Sequence, residues 1–222
     1  MKIQVVTDVL AANDRIADEN RTLFAAKKAY VINLMSSPGA GKTSLVEKTI
    51  LALRDRFRIG VIEGDIQSTY DAERVAALDT PVVQINTGGG CHLDANMIRE
   101  ALPNLNLDAI DLLVVENVGN LVCPAEFQIG EDAKVMILST PEGADKPLKY
   151  PLIFRESRVM ILNKIDLLPH VDFDREKARR GALALNPDLE IFEVSCRTGE
   201  GLTAWFDWLT ARVVAVREGK TR

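Results

Sequence analysis

The chain has 222 residues, and its 47% hydrophobic, 27% charged composition excludes intrinsic disorder and allows one sizeable core. A net charge of -5 excludes a global attraction to nucleic acid or to an anionic membrane. No apolar stretch approaches membrane-spanning length, and the polar start MKIQVVTDVLAANDRIADEN lacks the features of a signal peptide. The expectation is therefore a cytoplasmic protein whose cysteines, Cys91, Cys123 and Cys196, stay reduced.

Between about 7 and 27, Val9, Leu10, Ile16, Leu23 and Phe24 recur at helical spacings among charges and predict an amphipathic opening helix. Short apolar runs then alternate with helix-like segments: YVINLM (30–35), RIGVIEG (58–64), VVQIN (82–86), DLLVVEN (111–117), KVMILST (134–140), RVMILNK (158–164) and EIFEV (190–194). That alternation predicts crossovers, hence an α/β fold of three layers with a mostly parallel central sheet and helices on both faces. No repeat or linker divides it, so residues 1–222 are expected to form a single domain, with the Arg217–Arg222 tail solvated. Ligands of such sheets bind beyond the carboxyl ends of the strands.

After the first run comes Ser36-Ser37-Pro38-Gly39-Ala40-Gly41-Lys42-Thr43-Ser44 and then a helical pattern, a Walker A loop in its proper context. Pro38 opens the turn, backbone N–H groups from Gly39, Ala40, Gly41 and on to Ser44 can close around phosphate oxygens, Lys42 can reach the β/γ-phosphates and Thr43 can ligate Mg2+. Ser36 stands where the usual pattern has glycine. Asp65, after the second run, and Glu116, ending the fourth, can hold Mg2+ directly or through water, and Asp65 can position the attacking water. Glu63, beside Asp65, reads equally as a cap for the next helix. Glu116-Asn117-Val118-Gly119 stands where Asp-x-x-Gly senses the γ-phosphate, with Gly119 offering its N–H.

The base is read from Asn163-Lys164-Ile165-Asp166. Asp166 can accept from guanine N1 and N2, Asn163 can address the N7/O6 edge, and the Lys164 stem can cover the ring; adenine would leave a buried carboxylate unpaired. Ser195-Cys196-Arg197-Thr198-Gly199 is placed to back the base, with Cys196 packing in that loop. Taken together these residues predict a GTPase working with Mg2+ and GTP/GDP, slow because no intrinsic arginine finger is identifiable.

A second chemistry sits on the same rim. Cys91-His92 follows Gly88-Gly89-Gly90, and Cys123 follows the fourth run, offering thiolate and imidazole ligands for Ni2+ or Zn2+. Three ligands can bind a metal with one open position, or two chains can pool six across a two-fold axis; a buried cysteine with a helix-capping histidine is the alternative. His170 reads as a surface residue.

In this order SSPGAGKTS, IEGD, TGGGCHLDA, ENVGNLVCP, TPEGADKPLKYP and LNKIDLLP make the chain resemble, over essentially its whole length, the HypB hydrogenase nickel-incorporation GTPases. The UreG urease GTPases place a proline between cysteine and histidine and lack the second-cysteine segment. The resemblance implies that Cys91, His92 and Cys123 form a metal site assembled between two subunits of a homodimer favoured by nucleotide and metal. Hydrolysis would release nickel toward a [NiFe] hydrogenase large-subunit precursor, with a HypA-type accessory protein as partner. A GTPase serving another nickel enzyme such as urease is the alternative. Some members begin with a CxxCGC-type motif or carry a histidine-rich stretch; neither is present, and the expectation is binding at the G-domain site alone. Lys146 and Lys149 are candidates to cross the dimer, or a solvated pair.

Overall fold

A computed structural model describes residues 9–66 and 69–220. Helix α1 (Val9–Lys27) is followed by β1 (Tyr30–Ser36), α2 (Lys42–Leu53), β2 (Ile59–Asp65), α3 (Tyr70–Ala76), β3 (Val82–Asn86), α4 (Ala95–Ala101) and β4 (Leu112–Glu116). Then come α5 (Cys123–Glu126), β5 (Ala133–Ser139), α6 (Lys146–Lys149), α7 (Pro151–Glu156), β6 (Val159–Asn163), α8 (Arg175–Leu185), β7 (Glu190–Glu193) and α9 (Leu202–Arg217). Strand order is β3-β2-β4-β1-β5-β6-β7, with every neighbouring pair parallel.

Every residue of β1, β4, β5 and β6 is buried, which is why these segments read as continuous apolar runs. Successive residues of β5 face opposite layers. Val135 and Ile137 join Ile50, Trp205 and Leu209 of α2 and α9, while Met136 and Leu138 join Phe154 and Ala178 of α7 and α8. On that second face, beneath β2 and β4, lie Phe24 of α1 and Ile98 of α4. The fold is thus the three-layer P-loop arrangement expected. Because all seven strands run one way, their carboxyl ends share one rim, and the seven apolar runs of the sequence place it within a residue or two.

Helix α1 departs from its sequence pattern. Leu10 and Leu23 are exposed, and the stripe turned inward is Asn13, Ala17, Asn20 and Phe24. The two buried asparagines bond to backbone: Asn13 Nδ2 donates to Gln128 O and its Oδ1 accepts from Ala95 N, while Asn20 Nδ2 donates to Ala95 O and Ile129 O. Buried amides that find such partners lose little on leaving water. The helix is therefore bolted to α4 and to the 128–129 turn by hydrogen bonds that an apolar-periodicity reading does not register. Residues 7 and 8 of the expected helix, and the last two of the basic tail, lie outside the described residues.

Candidate functional site

The phosphate loop spans the end of β1 to the start of α2. Gly41 caps α2 at φ +104, and a Cβ there would come within 2.4 Å of Asn163 Nδ2, so only glycine fits. Ser36 needs no such freedom: it completes β1, its Oγ donating to Ser37 O at 2.6 Å and accepting from Lys42 Nζ at 3.3 Å. That is the physical reason a serine is accommodated where the usual pattern has glycine. Gly39, Ala40 and Ser44 line the same turn, and Pro38 lies under the next switch segment. A Cβ on Gly119 would meet Pro38 Cα and N at 3.1 Å, so the loop after β4 rests on phosphate-loop backbone.

At the base end, Asn163 is 2% exposed and joins three segments. Its Nδ2 donates to Ala40 O at 2.9 Å, and its Oδ1 accepts from Lys164 N and Cys196 N. Lys164 adopts φ +63 and extends its Nζ to Gly39 O at 2.6 Å, laying its stem between β6 and the phosphate loop. Asp166 Oδ1 accepts from Ser195 Oγ at 2.6 Å, which fixes the carboxylate where a base edge can reach it. A cleft of about 290 Å³ opens here, lined by Gly41, Ser44, Asn163, Lys164, Asp166, Leu167, Cys196 and Arg197. Burial pushes the Cys196 thiol up to about 11, so it stays protonated and serves as packing.

The carboxylates converge behind the phosphate position. Thr43 Oγ1 donates to Glu116 Oε1 at 2.8 Å. Burial pushes Glu116 up to about 7 against the opposing pull of Lys42 and the Thr43 hydrogen bond. Glu63 pairs in register with Glu116 across β2 and β4 and is 2% exposed. Among the described residues it makes no cap to α3, which Thr69 precedes without a side-chain cap bond. Burial first, then the charges of Glu116 and Asp65, push Glu63 up to about 8. One oxygen each of Glu63 and Glu116 is buried without a hydrogen-bond partner. Orphaned carboxylate oxygens beside a threonine hydroxyl make the all-oxygen donor set that a hard divalent cation requires, so Thr43, Asp65, Glu116 and Glu63 could hold Mg2+. β2 is buried along nearly its whole length, Glu63 included, and there an acid gives up solvation that no water replaces.

Farther along the rim, Cys91, His92 and Cys123 bring their ligand atoms within 4.8 Å of one another, with Cys91 Sγ 3.6 Å from His92 Nδ1. Metal–ligand bonds of about 2.0–2.3 Å span opposed donors up to roughly 4.6 Å apart, so with a slight closure the three could hold an ion such as Ni2+. Burial holds the His92 imidazole below its usual range and therefore neutral, the form that ligates, while its ring lies 4.0 Å from that of Phe127. The Cys91 sulfur beside it, then burial, hold Cys123 above the usual thiol range. Phe127, Asn117 and Asn120, which also touch this region, carry no metal-ligand signature in sequence. Lys149 pairs with Asp145 at 2.6 Å, Lys146 lies over the Tyr150 ring, and His170 is exposed.

Comparison with known proteins agrees with this geometry. Residues 30–193 match the family described as CobW/HypB/UreG, nucleotide-binding domain. The chain is 52% identical over 207 residues to the hydrogenase maturation factor HypB of Escherichia coli strain K12, covering 93% of this chain and 71% of that relative. Its structure superposes on HypB from Helicobacter pylori in complex with nickel with TM-score 0.88 at 35% identity, covering 95% of this chain and 98% of the other. It also superposes on the hydrogenase maturation factor HypB from Archaeoglobus fulgidus with TM-score 0.86 at 39% identity, covering 92% and 100%. The chain belongs to the HypB family of hydrogenase maturation factors, within the CobW/HypB/UreG nucleotide-binding group.

Proposed function

We propose that this chain is a GTP-hydrolysing metallochaperone, acting as one P-loop domain, that loads Ni2+ at Cys91, His92 and Cys123 and hands it to a [NiFe] hydrogenase large-subunit precursor in the cytoplasm. The observation that carries the reading is the position of the three ligand atoms, within 4.8 Å of one another, on the rim that also holds the phosphate-facing segment Glu116–Gly119. Cys123 lies four residues beyond Gly119, so any movement of that segment on loss of the γ-phosphate displaces a metal ligand.

In this reading Asp166 and the Asn163-organised cleft select guanine, and the N–H groups from Gly39 to Ser44, with Lys42, hold the phosphates. Asp65 orients the water that attacks the γ-phosphorus, GTP and water becoming GDP and phosphate. Thr43, Asp65, Glu116 and Glu63 would hold Mg2+, which neutralises charge developing on the phosphate oxygens. Turnover is slow, as suits a switch. Zn2+ is the competing cargo, since the same S/N donors accept it.

The working form is a homodimer across this rim, favoured by nucleotide and metal, with a HypA-type accessory protein as partner. Support comes from surface chemistry: Ile66, Tyr70, Val122 and Leu148, in the segments that follow β2, β4 and β5, are exposed, Leu148 being 76% exposed. Large apolar side chains left exposed are what an association surface would cover.

The test is Ni2+ titration of the purified protein with GDP, with a non-hydrolysable GTP analogue and without nucleotide, following stoichiometry and mass together, for wild type and Cys123→Ala. Tighter binding and a dimer with the analogue, both lost in the variant, support delivery. Affinity and mass that ignore nucleotide sink it.

A further inference from the structure

Both hydrogen bonds that tie the backbone of Cys91–Leu93 to another segment, among the described residues, run to asparagines of the segment that follows β4. Asn117 is fully buried, and its Oδ1 accepts from Leu93 N at 2.9 Å and from Val118 N at 3.0 Å. Asn120 Nδ2 donates to Cys91 O at 3.2 Å, while its Oδ1 accepts from Val122 N at 2.9 Å within its own loop. The two bonds bracket His92. One falls on the residue before it and one on the residue after it, so the imidazole is carried on a span fixed at both ends to residues 117 and 120.

We propose that Asn117 and Asn120 are positioning residues of the metal site, a two-point clamp that makes the Cys91–His92 ligands move with the nucleotide-sensing segment. The inference rests on the delivery reading above and deepens it, because the whole ligand set, and not Cys123 alone, then follows the nucleotide. Gly119 lies between the two asparagines and packs against the backbone of Pro38, which puts the phosphate loop at one end of the path. At the other end the clamp is backed by a rigid floor. Asn117 Nδ2 donates to Asn33 Oδ1 at 3.1 Å, Asn33 Nδ2 to Glu131 Oε1 at 3.4 Å, and Ile129 N to Glu131 Oε2 at 2.7 Å. Asn117 is thus the fixed pivot on β1, and Asn120, on the half-buried part of the loop, is the arm that swings with Gly119.

The chemistry of an asparagine suits this task. A primary amide accepts and donates at once, so Asn120 closes its own turn with Oδ1 while reaching the other loop with Nδ2. Serine would retain a turn-closing oxygen without the reach, and leucine at 117 would retain the volume without the acceptor.

The experiment compares Ni2+ affinity and the Ni2+–thiolate charge-transfer absorption of wild type, Asn120→Ser, Asn117→Leu and Asn117→Asp, each with Mg2+ and GDP or a non-hydrolysable GTP analogue. Guanine-nucleotide affinity serves as the folding control. For Asn120→Ser the expectation is a loss of about 10- to 100-fold in Ni2+ affinity in the analogue state, the range seen when groups that orient metal ligands are removed. The ratio between analogue and GDP states should shrink, with nucleotide affinity unchanged. Asn117→Leu should shrink the same ratio, and Asn117→Asp, which keeps the acceptor for Leu93 N but loses the donor to Asn33, should recover part of it. Variants that retain the wild-type ratio, or that weaken Ni2+ equally in both states, overturn the clamp. A wild type with no ratio at all overturns the delivery reading, and the clamp falls with it.

Discussion

Asn163 and Cys91 stand on the same rim, yet they are held in different ways. Asn163 is 2% exposed and receives or gives three hydrogen bonds that knit the phosphate loop, its own turn and the Ser195–Cys196 loop. Cys91 is exposed, follows three glycines, two of them at positive φ, and is anchored through its carbonyl by one asparagine of a neighbouring loop. The guanine end is assembled before its ligand arrives. At the metal end the donors stand close but the backbone that carries them has little of its own to keep it there. Affinity at the first end is a matter of fixed geometry, whereas at the second it depends on what adjoining segments do, and that is the property a delivery device needs.

The largest effect that separates the two ends should come from Asp166→Ala. Losing two hydrogen bonds to a carboxylate, at about 1.5–3 kcal/mol each, predicts a fall in GDP affinity of at least about 100-fold, with Ni2+ binding in the absence of nucleotide unchanged. Equilibrium binding of a fluorescent GDP and a Ni2+ titration check both halves; coupled loss of Ni2+ would mean the ends are one site. Lys42→Ala should slow phosphate release by roughly 10²–10³, the cost of removing one preorganised positive group from the phosphates, again leaving nucleotide-free Ni2+ binding intact.

Cys91→Ala reverses the pattern. It should abolish the Ni2+–thiolate absorption while altering stability by no more than about 0.5 kcal/mol, since the side chain is exposed. Gly41→Ala, by contrast, forces alanine to φ +104 against the Asn163 amide and should lower Tm as well as nucleotide affinity. If Cys91→Ala melted the protein and Gly41→Ala did not, the contrast drawn between the ends would be inverted.

The last effect is a pH dependence. Glu63 and Glu116 are pushed up to about 8 and about 7, above the usual carboxylate range, chiefly by burial. The folded chain keeps those protons where the unfolded chain has released them. The stability these groups contribute is therefore fully present below the ordinary carboxylate pKa and is lost as pH rises through about 8. Chemical denaturation of the nucleotide-free protein across that range should show the decline. Mg2+ with GDP should flatten it by giving the deprotonated oxygens a partner, and a decline confined to more acid pH would assign the titration to other groups.

The sheet was legible in the sequence because β1, β4, β5 and β6 are buried on both faces, so most of their length is apolar and reads as a continuous run. Helix α1 was legible in its span and not in its face. Its inward stripe contains Asn13 and Asn20, whose partners lie more than seventy residues away in sequence. Glu63 was ambiguous for a related reason, since an acid at a strand end reads as a cap until its neighbour across the sheet is known to be another acid, Glu116.

By itself the sequence determined the groups on offer: a phosphate loop, an Asn-Lys-x-Asp of the kind that reads guanine, and a cysteine-histidine pair with one more cysteine, each motif local enough to be carried by chain spacing. Only the tertiary structure decided which of these groups meet. Glu63 faces Glu116 because β2 and β4 are neighbours, and Cys123, Asn117 and Asn120, after β4, meet the loop that carries Cys91 and His92, after β3, because β3, β2 and β4 lie side by side in a parallel sheet. Strand order is set by the packing of the whole sheet between its helices, and no spacing along the chain encodes it.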